Sequence, residues 1–255
     1  MCRWLTYRGP EIYLEDMLYA PSHSLIEQSL NAFEAKTPTN GDGFGLGWFG
    51  DKSEPGTYHE ILPAWNDSNL RSLAAQVKSA NFFAHVRAST GTATSRQNCH
   101  PFKYNNWIFM HNGQIGDYCE VRRFMEAELA DHLYRSRTGT TDSELLFLLL
   151  LEFGLDDDPK GAVCKLLDYM DSLLQRYQCK QPFRMTAAFS NGPRFYALRF
   201  STDDRPPTLY YCHKDGRLIV MSEPSEDDST TWIEVPPDHL IEAGSKNEPH
   251  LHKIR

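Results

Sequence analysis

Residues 183–222 read FRMTAAFSNGPRFYALRFSTDDRPPTLYYCHKDGRLIVMS, and this stretch decides the fold class. Four runs rich in aliphatic and aromatic residues, 184–190, 194–200, 207–213 and 217–222, are short enough to be strands. Asn191-Gly192 separates the first two. This pair accepts the positive φ angles of a tight hairpin turn, so the two runs are expected to pair antiparallel.

Upstream the pattern changes. Long helices are expected over roughly 117–134 and 142–153. Asp156-Asp157-Asp158-Pro159 then breaks the chain, and a third helix runs to about Gln178. Further upstream, 2–8 is expected as a strand ending at Gly9-Pro10, with short helices over 12–18 and 22–31. Residues 38–50 (PTNGDGFGLGWFG) form a glycine-rich loop running into a strand, with 57–62 as its partner. Asp67 or Ser68 caps an amphipathic helix over 67–78, and strands follow at 81–87 and 107–111. Strands near 232–235 and 250–254 could close a sheet, and the acidic loop 223–231 is expected to be exposed. Strands first, helices in the middle and antiparallel strands at the end favour an α+β fold over a doubly wound one. No linker divides the chain, so residues 1–255 are read as one domain.

Forty per cent hydrophobic residues suffice for a sizeable core, and a formal charge of -8 argues against a nucleic-acid partner. Six cysteines, at 2, 99, 119, 164, 179 and 212, form no CxxC pair and no zinc-type spacing, which points to reduced thiols. The N-terminus has no apolar stretch of signal-peptide length. The longest apolar run, 145–151 (LLFLLLL), is far too short to span a bilayer and is expected inside a core helix. A cytoplasmic protein without membrane association is expected, and the Asn66-Asp67-Ser68 sequon then carries no weight.

Several motifs have both a chemical and a purely structural reading. Gly45-Leu-Gly47-Trp-Phe-Gly50 matches GxGxxG. The residues after it, Asp51-Lys-Ser-Glu-Pro55-Gly56, cannot open the helix that a dinucleotide site requires. Cys2 follows the initiator Met. Removal of Met1 would leave a thiol and a free α-amino group on one residue, and an amine of reference pKa about 7.7–8.0 can act as the thiol's base near neutral pH. His111-Asn112-Gly113-Gln114 reads most simply as a turn, but an Asn amide followed by a backbone N–H can also form an oxyanion hole. Arg87, at the end of His85-Val86-Arg87, is either a surface charge or a bidentate grip on a carboxylate. Thr141 and Glu144 fit a capping box, which leaves Asp142 in the first turn to meet an ammonium group. Cys99 and His100 have no further ligands at metal-binding spacing, and no metal or cofactor is expected.

Taken in order, Cys2, Asn40-Gly41-Asp42-Gly43-Phe44-Gly45, His85-Val86-Arg87, Asn98-Cys99-His100-Pro101, His111-Asn112-Gly113 and Thr141-Asp142-Ser143-Glu144 resemble the class II glutamine amidotransferase family. Any one of these is common; six in order are specific, and Ser222-Glu223-Pro224 extends the match along nearly the whole chain. The resemblance implies a four-layer αββα sandwich, the N-terminal nucleophile hydrolase fold. It implies Cys2 as nucleophile with its α-amino group as base, Asn112 and Gly113 as oxyanion hole, Arg87 on a substrate α-carboxylate and Asp142 on its α-amino group. In some members Trp follows the strand-end Arg and His follows the Thr; here those positions are Ala88 and Gly91, so the pocket rim differs. MCRWLTYRGP and Pro21-Ser22-His23-Ser24 resemble the free-standing branch that includes a glutathione-degradation subunit and a γ-glutamyl hydrolase of ergothioneine biosynthesis. The expected activity is cleavage of a γ-glutamyl amide, glutamine or a γ-glutamyl conjugate, through a Cys2 thioester. A glutaminase subunit feeding ammonia to a separate synthase is the alternative, and a non-catalytic binding module a weaker one. A partner subunit or a homo-oligomer is left open.

Overall fold

The computed structural model describes residues 2–35, 37–89, 91–225 and 232–255. Two antiparallel sheets face each other. The first holds β1 (Arg3–Tyr13), β2 (Phe44–Trp48), β3 (Gly56–Glu60), β4 (Lys78–Val86), β9 (Tyr210–Lys214), β10 (Arg217–Met221) and β11 (Ile233–Glu234). Their order is β11-β9-β10-β1-β4-β2-β3. The second holds β5 (Phe102–Tyr104), β6 (Trp107–Gln114), β7 (Arg184–Ser190), β8 (Phe195–Ser201), β12 (His239–Ala243) and β13 (Pro249–Lys253), in the order β13-β12-β8-β7-β6-β5.

Successive side chains of a strand point to opposite faces, and here both faces are covered. On β1, Trp4 packs between the sheets with Phe83, Ile108, Phe195 and Ile241. Leu5 and Tyr7 point the other way, against the outer helices α1 (Glu15–Leu18), α2 (Leu25–Leu30) and α3 (Ser68–Ala74), where Leu18, Leu25 and Leu70 meet them. The second sheet is covered by α4 (Tyr118–Ala127), α5 (Asp131–Ser136), α6 (Asp142–Glu152) and α7 (Pro159–Arg176), through Phe147, Leu149, Leu166 and Met170. The result is the expected αββα sandwich. The run 145–151 lies within α6, and its residues 145–150 are buried. No helix among the described residues is long and apolar enough to cross a membrane.

The 183–222 stretch pairs as its pattern indicates: β7 and β8 run antiparallel from Arg184↔Ser201 to Ser190↔Phe195. Gly192 takes φ +92° in the turn between them. Five details depart from the sequence expectation. β1 continues past Gly9-Pro10 because the β1–β4 register shifts between Arg8 and Ile12, which gives the proline a bulge to occupy. The helix expected over 117–134 is two, broken where the Ala130 N–H leaves the helical ladder for the Glu152 carboxylate at 2.8 Å. β6 runs on through Asn112-Gly113, which is strand paired to Thr186 and Met185 and not a turn. β5 and β12 had no clear sequence signal. Glu223, expected on an exposed loop, is buried against Arg3, while residues 226–231 of that loop lie outside the described residues.

Candidate active site

The sandwich brings four chain segments to one cavity of about 290 Å³. Cys2 lies just before β1 and Arg87 just after β4; the pairing Arg3↔Val86 sets those two side by side. Asn112 and Gly113 come from β6 on the facing sheet, and Asp142 opens α6. All five line the cavity, with Ser89, Thr92, Tyr118 and Gln181 among the residues around them. Met1 and Thr90 lie outside the described residues.

The Cys2 thiol donates to the Ala88 carbonyl at 3.5 Å, and its sulfur also lies 3.4 Å from the Ala88 N–H. Burial raises its pKa, and the Ala88 contact works against that shift. The thiol therefore needs a base to become a nucleophile near neutral pH. The Asn112 amide nitrogen is buried and has no hydrogen-bond partner among the described residues, while the Asn112 carbonyl accepts from the Thr186 hydroxyl at 3.2 Å. Gly113 is required by packing. A Cβ there would sit 1.9 Å from the Arg184 carbonyl oxygen and 2.6 Å from His111 Nε2.

Arg87 is 4 % exposed. It is not a surface charge. Its guanidinium donates to the Asp42 carbonyl at 3.3 Å, the Ser89 hydroxyl at 3.2 Å, the Thr92 hydroxyl at 2.7 Å and the Ala93 carbonyl at 3.4 Å. Every acceptor is neutral. The Asp42 carboxylate is held instead by the Ser89 N–H at 2.7 Å, and among the described residues no carboxylate pairs with Arg87. Its charge is positioned but not neutralised. Asp142 is placed in the same way with the opposite sign: it accepts from the Ile115 N–H at 3.1 Å and the Ser143 hydroxyl at 3.3 Å, both neutral donors. The capping box around it is half formed. Thr141 Oγ1 accepts from the Glu144 N–H at 3.2 Å, but the Glu144 carboxylate receives the N–H groups of Thr138 and Gly139 instead of that of Thr141.

Three residues beside these were not anticipated as a group. The rings of His85 and His100 stack at 4.2 Å between centroids; His85 lies against the His111 backbone, and among the described residues the His100 ring nitrogens are buried without partners. Burial, then the Arg87 charge, pushes His85 down to about 3, and burial and the neighbouring His85 push His100 well below its ordinary value. His111 is lowered by burial, with Asp142 pulling the other way; its Nδ1 lies 2.8 Å from the Ser143 hydroxyl. The three imidazoles are therefore neutral packing groups at physiological pH. Their spacing in sequence (85, 100, 111) gave no sign that they share one core.

Residues 16–214 match the model of the glutamine amidotransferases class-II family. A Saccharomyces cerevisiae protein called probable glutamine amidotransferase DUG3 is 40% identical over 256 residues, covering 89% of this chain and 71% of its own. The γ-glutamyl-hercynylcysteine sulfoxide hydrolase of Mycolicibacterium smegmatis is 27% identical over 95% of both chains. Among solved structures, a glutamine aminotransferase class-II domain protein from Silicibacter pomeroyi superposes with a TM-score of 0.78 at 34% identity over the whole of both chains. The glutamine phosphoribosylpyrophosphate amidotransferase of B. subtilis shares the fold, with a TM-score of 0.70 at 17% identity over 49% of that chain. With its family match spanning most of its length, the chain belongs to the class II glutamine amidotransferases.

Proposed function

We propose that the chain hydrolyses γ-glutamyl amides through a covalent intermediate on Cys2. The observation that carries the reading is the Asn112 amide nitrogen, a buried donor without a partner among the described residues, in a residue that lines the same cavity as Cys2. A buried donor left unmade costs about 1–3 kcal/mol, a cost that makes sense where a reacting oxygen will meet it. Removal of Met1 frees the Cys2 α-amino group, which takes the thiol proton as sulfur adds to the δ-carbonyl carbon. The C=O electron pair moves onto oxygen, where Asn112 Nδ2 and the Gly113 N–H receive it. Collapse re-forms the carbonyl and breaks the C–N bond. The leaving nitrogen takes the proton back from the amine and departs, leaving a thioester. Water then adds to the thioester carbon with the same amine as base; collapse breaks the C–S bond, the amine returns the proton to sulfur, and glutamate is released. Throughout, Arg87 holds the α-carboxylate and Asp142 the α-ammonium group. Each is held by neutral partners only, which supports this pairing of charges. The intact set of five residues argues against a non-catalytic binding module.

The names of the relatives favour two fates for the leaving nitrogen. The hydrolase relative suggests release of the amine of a γ-glutamyl conjugate, with water taking the glutamyl group. The yeast relative's name keeps open transfer of ammonia to a partner subunit. A panel of kcat/KM values for glutamine and γ-glutamyl peptides, with Met-processed protein, decides between them. The expected result is turnover of γ-glutamyl peptides without a partner and none by Cys2→Ala. Turnover retained in Cys2→Ala overturns the proposal. A strong preference for glutamine that needs a synthase for full rate overturns the hydrolase form of it.

A further inference from the structure

The two charges assigned to the glutamyl head group sit on separate elements, the end of β4 and the start of α6. Something must fix the distance between them. Asn98, which lies in the 3₁₀ turn Arg96–Asn98 and is 2 % exposed, is placed to do so. Its amide nitrogen donates to the Ala93 carbonyl at 2.9 Å, the same oxygen that Arg87 Nη2 reaches at 3.4 Å. Its amide oxygen accepts from the Thr140 N–H at 2.8 Å, two residues before Asp142. A Cβ at Gly139 would lie 2.6 Å from Asn98 Oδ1. The same amide nitrogen also donates to the Thr140 hydroxyl at 3.2 Å. One planar side chain thus bonds both to the Ala93 carbonyl of the Arg87 loop and to the segment that leads into Asp142.

We propose that Asn98 is a positioning residue that sets the spacing between Arg87 and Asp142, and so makes recognition of the α-carboxylate and α-ammonium groups mutually dependent. The inference rests on the roles given above to Arg87 and Asp142. Neither role depends on Asn98 alone. Arg87 keeps its bonds to Asp42, Ser89 and Thr92, and Asp142 keeps those to Ile115 and Ser143. What Asn98 controls is their separation. Its loss should therefore hurt a substrate that carries both charges much more than one that carries a single charge.

The test compares γ-glutamyl p-nitroanilide with glutaryl p-nitroanilide, which lacks only the α-amino group, on wild type, Asn98→Ala and Asn98→Asp. Asn98→Asp keeps the acceptor for Thr140 and turns a carboxylate oxygen toward the Ala93 carbonyl, so it breaks one half of the bridge while preserving volume. The expected result is a wild-type kcat/KM ratio strongly favouring the glutamyl substrate. In both variants that ratio should fall about tenfold, carried by KM, because small misplacements of anchoring groups have effects of this order or larger. Alkylation of Cys2 by iodoacetamide, followed by peptide mass, reads the thiol without the head group and should change less than twofold. A wild type that does not discriminate between the substrates sinks the Asp142 assignment on which this inference stands. A wild type that discriminates while both variants keep its ratio overturns the role of Asn98 alone. A parallel loss on both substrates, or failure of both variants to fold, also overturns it, since Asn98 is then structural only.

Discussion

Acidification should destabilise this protein at a pH where its carboxylates are still ionised, because of the stacked histidines beside the cavity. His85 has a folded pKa of about 3 against 6.5 for the free side chain, and His100 is shifted in the same direction. Between those two values the unfolded chain binds protons that the folded chain refuses. Stability is therefore fully present above pH 6.5 and falls as pH drops below it. Well below 6.5 each histidine contributes a slope of about 1.4 kcal/mol per pH unit. From pH 7.5 to pH 5 His85 alone removes about 2 kcal/mol, and His100, His59 and His111, also lowered by burial, add to this. That loss is a large part of the roughly 5–15 kcal/mol by which domains are stable. Ordinary carboxylates, with reference values of about 3.9–4.3, barely titrate in this window. Urea denaturation at pH 7.5, 6.5, 5.5 and 5.0 measures the effect directly. His85→Leu, of comparable bulk and without a titrating ring, should lose about half of the pH slope that the pair contributes. Its stability at pH 7.5 should change little, since the ring it replaces is buried and neutral there. A stability that is flat from pH 7.5 to 5, or an undiminished slope in His85→Leu, refutes the reasoning.

Other outcomes follow from the site. Asn112→Ala should lower kcat by roughly 10²–10³ with little change in KM; a rise in KM alone would make Asn112 a ground-state contact. Blocking the Cys2 amine, by retaining Met1 or adding residues before Cys2, should abolish turnover, as checked by intact mass beside the rate assay. In processed protein kcat/KM should rise with pH through the ordinary range of an α-amino group, about 7.7–8.0, because the base must be neutral and burial holds the thiol protonated. Gly113→Ala should reduce soluble folded protein sharply, since its Cβ would overlap the Arg184 carbonyl across the β6–β7 ladder.

Much of the fold could be read locally. The β7–β8 hairpin is written in Asn191-Gly192, and α6 in the run 145–151 together with the Thr141 cap. What could not be read depends on long-range pairing. Asn112-Gly113 has the composition of a turn, and only the neighbouring β7 strand holds it extended. The break between α4 and α5 comes from Glu152, more than twenty residues away, capturing the Ala130 N–H. Glu223 looks like a surface acid in an acidic loop, but it is buried because it accepts the N–H groups of Phe33 and Glu34 and faces Arg3 and His23. The five candidate site residues are named from motif order, and all five line one cavity. The bonds that hold them, from Ala88, Thr92, Ile115 and Ser143, carry no signature that a single sequence displays.

The strand state of Asn112-Gly113 has a consequence for how such a site can diversify. Residues on a ladder paired to β7 cannot be moved without moving a sheet that is covered on both faces. Ser89, Thr92, Gly116, Asp117 and Gln181, by contrast, border the cavity from connecting segments outside any strand or helix. Such segments tolerate replacement and insertion far better than core strands do. A change of leaving group can therefore be accommodated by exchanging 179–182, whereas 88–93 must be kept because Ala88 meets Cys2 and Ser89, Thr92 and Ala93 hold Arg87. Loop transplantation between relatives, more than substitution within β6, is the productive route to altered selectivity in this scaffold.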